Sequence, residues 1–350
     1  MKGWLSCSMV LAAMLAVSLT GSTGFAQAKS DKLRVYVIDV EGGQSTLFIT
    51  PEGQSLLVDT GWPGNNGRDA DRIVAVAKKE GLSKIDYLLI THYHVDHAGG
   101  IPQLLARIPV GTFLDHGPNR ELDKGITEKD YTLYQDELAK GKSKVIHETP
   151  GNILPVKGLT ATVVSADGKL IDKSLPGAGA ANSYCKDAPV PEADDTENAR
   201  SLGIEINFGK LRLIDLGDLT KDKERQLMCP VNKLGRIDVY IVSHHGWDHS
   251  SSPVFVDALH PRVAIMDNGE QKGGSTSVLQ TIKNSPGLET LWQLHFSDEG
   301  GTANNTAAEF IANPPGPDGG HYIELIGDKS GSFDVINSRT HVTKHYAAMK

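Results

Sequence analysis

In the stretch THYHVDHAGG (residues 91–100), His92, His94, Asp96 and His97 crowd together directly after the apolar run IDYLLI. Folding alone gives no reason for this. Neighbouring imidazoles repel when protonated, and histidine is a poor helix former. Metal binding does give a reason, because an ion needs several imidazole or carboxylate groups at about 2 Å. His92 and His94 are two residues apart, so in an extended stretch they point the same way. Asp96 and His97 are offset and can face a second ion. Two ions about 3.5–4 Å apart share an oxygen ligand, and Asp218 in LIDLGD is the expected bridge.

No single segment supplies a full set of ligands, so the fold must bring several together. DYLLITHYHVDH, LRLIDLGD and DVYIVSHH each end an apolar strand with metal-type residues. Side by side, such strands converge on one rim of a sheet, where loops host chemistry. LRVYVIDV (33–40), QSTLFIT (44–50) and QSLLVDTG (54–61) read as three short strands, separated by Gly42-Gly43 and Pro51-Glu52-Gly53. RDADRIVAVAKKEG reads as a helix capped by Asp69 and ended by Gly81. AGGIPQLLARI is a short helix and VGTFLDHG the next strand. TEKDYTLYQDELAKG is a helix with Thr127 as its cap and Tyr131, Tyr134 and Leu138 on one stripe.

LTATVVSAD (159–167) is a strand, and residues 168–197 form a long loop. The segment SLGIEINFGKLRLIDLGDLT is a hairpin turning at Gly209-Lys210. RVAIMDNG, TLWQLHFS, HYIELIGD and SFDVINSRT supply later strands. Strands alternate with helices, yet several strand pairs are joined by hairpins. That mixture implies a layered α/β fold with mixed sheets, not a purely parallel one.

The first residues read differently. Lys2, the run WLSCSMVLAAMLAVSL and Ala26-Gln27-Ala28 form a secretory leader over residues 1–28. The mature chain, 29–350, reads as a single domain, exported to the periplasm or outside the cell. The leader's apolar run is short for a spanning helix of about 20 residues, and no later run is long enough. Losing Lys2 changes the formal charge from −8 to −9. An acidic chain gains no general attraction to nucleic acid. Cys185 and Cys229 remain as an even pair in an exported chain, which suggests a disulfide; two free thiols are the alternative.

THYHVDHAGG resembles the His-x-His-x-Asp-His segment of the metallo-β-lactamase superfamily. LLVDTG (56–61), LIDLGD and SHHG resemble further family segments, in family order. The HHGWDHSS form, with ENARSLGIEI ahead of LIDLGD, is similar to the ComEC-type competence branch. The resemblance implies a four-layered αβ/βα sandwich with metals at the sheet edge and Asp59 structural beside them. It implies that His92 and His94 bind a first metal, that Asp96 and His97 bind a second, and that Asp218 bridges. His244 would complete the second site, with His245 in the same turn as the alternative. Most relatives place a third histidine in the first site. Here Asn198 stands at that position, and His116 in FLDHGP is a second candidate. Two zinc ions are implied; an amide ligand would shift preference toward manganese.

Such a centre lowers the pKa of a shared water and polarises the bond under attack. The implied function is a metal-dependent hydrolase with Asp96 and His245 as candidate catalytic residues. His249 and the serines of HSSS are further candidates for contacting substrate. The substrate is a small molecule or a phosphodiester, or another ester. A lactonase or β-lactamase-like ring opener and a non-catalytic metal-binding protein are the competing readings. NGEQKGGSTS (268–277) lacks the His-Pro pair that the ComEC-type branch carries there.

Overall fold

The apolar runs form strands, and the glycines between them form turns. The protein is described by a computed structural model covering residues 1, 3, 31–122 and 125–349. The expected leader, apart from Met1 and Gly3, lies outside the described residues. Strands β1 (Leu33–Val37), β2 (Thr46–Ile49) and β3 (Ser55–Val58) form an antiparallel meander. Strands β4 (Ile85–Leu89), β5 (Val110–Asp115) and β6 (Lys144–His147) then add in parallel.

The chain next builds a second sheet. It starts with β7 (Thr160–Ala166), β8 (Lys169–Leu170) and β9 (Gly203–Phe208). β10 (Leu211–Asp215), β11 (Val239–Ile241), β12 (Val263–Met266), β13 (Thr290–His295) and β14 (Ile311–Asn313) run parallel to one another. β9 and β10 are the expected hairpin, turning through Gly209-Lys210. The chain returns to the first sheet with β15 (Ile323–Gly327), β16 (Phe333–Asn337) and β17 (Thr343–Tyr346). The orders are β17-β16-β15-β1-β2-β3-β4-β5-β6 and β14-β13-β12-β11-β10-β9-β7-β8. Both sheets are mixed, as expected.

The sheets pack face to face through Phe48, Val58, Leu89, Leu213, Val239 and Ile265. Helices α1 (Arg68–Lys79), α3 (Ile101–Leu105) and α4 (Ile126–Gly141) cover the outer face of the first sheet. Ile73, Leu104 and Tyr134 carry that contact. The short α2 (Val95–Ala98) lies between β4 and α3. Helices α5 (Lys221–Met228), α6 (Pro253–Leu259) and α7 (Thr276–Asn284) cover the second sheet through Leu227, Phe255 and Leu279. The short α8 (Gly301–Asn304) follows β13. The result is the αβ/βα sandwich with four layers. Each sheet buries both faces, which is why its central strands read as unbroken apolar runs.

Two caps differ from expectation. Gly67, not Asp69, precedes α1, with φ 82°. Gly125, not Thr127, precedes α4, with φ 65°. The chain enters both helices at positive φ, which glycine adopts without steric cost. Asp69 instead accepts the Trp62 N–H at 2.8 Å from inside the first turn, and Thr127 donates to Glu121 at 3.1 Å. The 168–197 loop contains β8 and is tied down by a Cys185–Cys229 disulfide, which the cysteine count suggested.

Candidate metal centre

The parallel strands β4, β10 and β11 end on the rim where the two sheets meet, and each releases its chemistry there. After β4 the chain stays extended through His94, whose φ and ψ are −67° and 151°. His92 and His94 therefore turn to one side, with Nε2 and Nδ1 3.0 Å apart. α2 begins at the next residue and swings Asp96 and His97 away from that pair. After β10, Asp218 projects between the two groups. After β11, His244 and His245 both adopt left-handed backbone, at φ 56° and 54°. Non-glycine residues take that conformation only where the surroundings hold it. Here the His244 N–H donates to Gly217 O at 3.1 Å and the Gly274 N–H to His245 O at 2.9 Å.

Asp218 divides its two oxygens. Oδ1 lies 3.3 Å from His97 Nε2 and 3.5 Å from His245 Nε2. Oδ2 lies 3.3 Å from His244 Nε2 and 3.9 Å from His92 Nε2. Asp96 Oδ2 closes the first of these groups, at 3.4 Å from His97 Nε2 and 3.2 Å from His245 Nε2. A tetrahedral ion with ligands at about 2.1 Å would hold them about 3.4 Å apart. The group Asp96, His97, Asp218 and His245 therefore has the spacing of a metal shell. Among the described residues, Asp218 Oδ1, His97 Nε2 and His245 Nε2 are also buried without a hydrogen-bond partner. Such orphaned atoms are rare in folded proteins and call for an ion or water.

The protonation states fit. Burial holds His92 well below the ordinary imidazole value and His244 at about 4, so both rings are neutral at pH 7. Burial would raise the pKa of Asp218, but His244, His97 and His245 hold it well below the usual range. Burial likewise opposes ionisation of Asp96, and Lys272 and His97 outweigh it. Burial would lower His97, yet Asp218, Asp96 and Asp59 push it well above its ordinary value. The carboxylates thus demand positive charge at their centre, which a divalent ion would satisfy.

Behind this cluster sits a buried frame. Asp59 accepts His97 Nδ1–H at 2.7 Å, the Thr91 N–H at 2.8 Å and the Thr91 hydroxyl at 2.6 Å. This matches its expected structural place. Ser201 Oγ accepts the Asp218 N–H at 3.2 Å and lies 3.5 Å from His92 Nδ1. Asp267 Oδ2 lies 3.4 Å from His245 Nδ1. Glu121 Oε2 lies 3.3 Å from His94 Nε2. That contact holds Glu121 at about 2, against the effect of burial. Lys272 contacts Asp96 directly and donates to Gly42 O at 2.7 Å. Glu121, Asp267 and Lys272 were not singled out from the sequence; Asp267, directly after strand β12, had the same strand-end position as the others.

His116 is buried against Glu197, with Nε2 3.0 Å from Oε2. The Asn198 Oδ1, like that of Asp218, is buried without a hydrogen-bond partner among the described residues, and the Asn198 carbonyl accepts the Ser201 N–H at 3.1 Å. His249 is exposed beside Trp247, with ring centroids 5.7 Å apart. His295 pairs with Asp39 at 2.7 Å in a separate group that includes Glu41. Arg72 donates to Asp39 at 2.9 Å, so that group carries its own cation.

Sequence comparisons agree with the geometry. The description "Metallo-beta-lactamase superfamily" matches residues 39–171. The chain is similar to ComE operon protein 3 of Bacillus subtilis, at 24% identity over 69% of this chain and 29% of that protein. It is similar to Recombination protein 2 of Haemophilus influenzae, at 27% identity over 70% of this chain and 25% of that protein. The chain thus spans less than a third of the length of either relative. Among solved structures, it is similar to MEM-A1, a subclass B3 metallo-beta-lactamase from a soil metagenome library. That likeness has 14% identity and a TM-score of 0.38, over 61% of this chain and 76% of that one. Residues 39–171, which hold the His-x-His-x-Asp-His segment, thus match the metallo-β-lactamase superfamily, and the two-sheet sandwich and both relatives are consistent with that match.

Proposed function

We propose that the protein is an exported hydrolase that uses two metal ions to cleave a phosphodiester or another ester. The division of the Asp218 carboxylate between two histidine groups carries this reading. Under it, Asp96, His97, His245 and Asp218 would hold one ion, and His92, His94 and His244, beside Asp218, would hold the other. His244 then stands in for the missing third histidine, and neither Asn198 nor His116 is needed. The all-histidine and carboxylate set favours zinc. Such ions would polarise the bond under attack and supply an acidified water as nucleophile. The chain's own residues prepare for this. Asp59 fixes the His97 proton on Nδ1, which turns the Nε2 lone pair inward. The Cys185–Cys229 disulfide supports an oxidising compartment, and hence export.

The test is metal analysis of the purified protein, followed by assays on bis-p-nitrophenyl phosphate, a lactone and a β-lactam. Two equivalents of metal and phosphodiester cleavage are expected, both lost in Asp218→Ala. Cleavage of only the lactone or the β-lactam would shift the reading to a ring-opening hydrolase. Full metal content with no cleavage of any of the three would leave a metal-binding protein.

A further inference from the structure

We propose that Lys272 selects the substrate of this site. It holds a second, non-reacting anionic group next to the metal ligands, between the rings of Trp62 and Trp247. This rests on the hydrolase reading above and narrows it to esters that carry such an anion.

Lys272 is not a loose surface lysine. Its side chain is 23% exposed, and its ammonium touches Asp96 and Gly42 O. Its own carbonyl accepts the Gly269 N–H at 2.8 Å. The Gly42-Gly43 turn packs directly against this loop. A Cβ on Gly42 would fall 2.9 Å from Gly269 N and 3.0 Å from Lys272 Cβ, and one on Gly43 only 2.5 Å from Asp96 O. Two glycines therefore let the Lys272 loop and Asp96 approach. The ammonium lies 5.0 Å from the Trp62 ring centre and 6.0 Å from that of Trp247. Trp247 is 39% exposed, at the solvent side of His244.

The charge argument follows from these contacts. Asp96 Oδ2 also faces His97 and His245, at the position of a ligand atom. An ion held there would draw on that oxygen, weaken its hold on Lys272 and repel the ammonium. The ammonium would then be left with a carbonyl and two ring faces, none of which neutralises a full charge. A substrate carboxylate or phosphate does. The indoles shield that pair from water and give an apolar chain a surface to lie on. A lysine suits this task as a compact charge on a flexible stem.

The test uses zinc-loaded protein and two activated esters, neutral p-nitrophenyl acetate and anionic mono-p-nitrophenyl succinate. The ratio of their kcat/KM values should favour the anionic ester in the wild type. It should fall about tenfold or more in Lys272→Met, the loss expected for one charge-assisted hydrogen bond, and recover in Lys272→Arg. A ratio unchanged in Lys272→Met overturns the proposal. Calorimetry provides a second readout that needs no turnover. Succinate and inorganic phosphate are titrated separately into zinc-loaded protein, and the tighter binder names the anion. Binding weakened about tenfold in Lys272→Met supports the anchor even if neither ester is cleaved, an outcome that would count against the hydrolase reading alone. Equal binding by wild type and Lys272→Met removes the anchor.

Discussion

Replacing Asp59 by Asn tests the metal centre without touching a ligand. The Asp59 carboxylate is fully buried and accepts three hydrogen bonds. In the variant, one oxygen can still accept the Thr91 N–H. The amide nitrogen then occupies the other position, facing the Thr91 hydroxyl and His97 Nδ1. The hydroxyl can rotate and accept. The His97 ring is fully buried and cannot move away. It escapes a donor–donor contact only by carrying its proton on Nε2, the atom 3.3 Å from Asp218 and 3.4 Å from Asp96. That removes the lone pair an ion needs. Loss of such a partner weakens metal binding about 10–100-fold, or about 1.4–2.7 kcal/mol. The assay is a competition titration against a zinc chelator, with circular dichroism to check the fold. Asp59→Asn should lose affinity for the ion held by His97, with the fold retained. Two equivalents bound with wild-type affinity would mean that His97 does not face an ion, and the assignment would fall.

Two other perturbations probe the frame. Burial pushes the Glu224 carboxyl up to about 7 although Ser251 and Ser252 donate to it. The folded state therefore holds this proton more tightly than the unfolded chain, so stability should fall as pH rises from about 4.5 to 7 and then level off, by about 3 kcal/mol for this group alone. Urea midpoints at pH 5 and pH 8 should show that fall in the wild type and a shallower one in Glu224→Gln; equal slopes would refute it. Reducing the Cys185–Cys229 bond, which spans 44 residues, frees a loop worth about 4 kcal/mol in chain entropy. A denaturation midpoint unmoved by reductant would show that the bond constrains nothing in the unfolded chain.

Some of this molecule is legible in its sequence because a local pattern encodes it. His92, His94, Asp96 and His97 announce themselves by spacing, and Asp218 and the His244-His245 pair by their place after apolar strands. The hairpin at Gly209-Lys210 is likewise local. What sequence reading misses is set by partners far along the chain. Lys272 meets Asp96 across 176 residues, and Glu121 meets His94 from an irregular loop. Which of His244 and His245 faces which oxygen depends on two left-handed residues that no periodicity reveals. Helices α5, α6 and α7 escaped notice for another reason. Segments such as PVFVDAL are short and β-branched, so they read equally as strand, although Ser252-Pro253 is a helix-start signal.

Asp218 follows a strand of one sheet, while His92, His94, Asp96 and His97 follow a strand of the other. An ion held between them is therefore a clasp across the seam of the sandwich. Anything that pulls the halves apart must first break its bonds. An ion at a hundred times its dissociation constant would add about 2.7 kcal/mol to the stability of the whole fold. Distant substitutions that loosen the packing of Phe48 or Val58 on Leu213 would register as weaker metal binding, and a chelator would act as a mild denaturant. Folding and metal loading are then linked parts of one equilibrium.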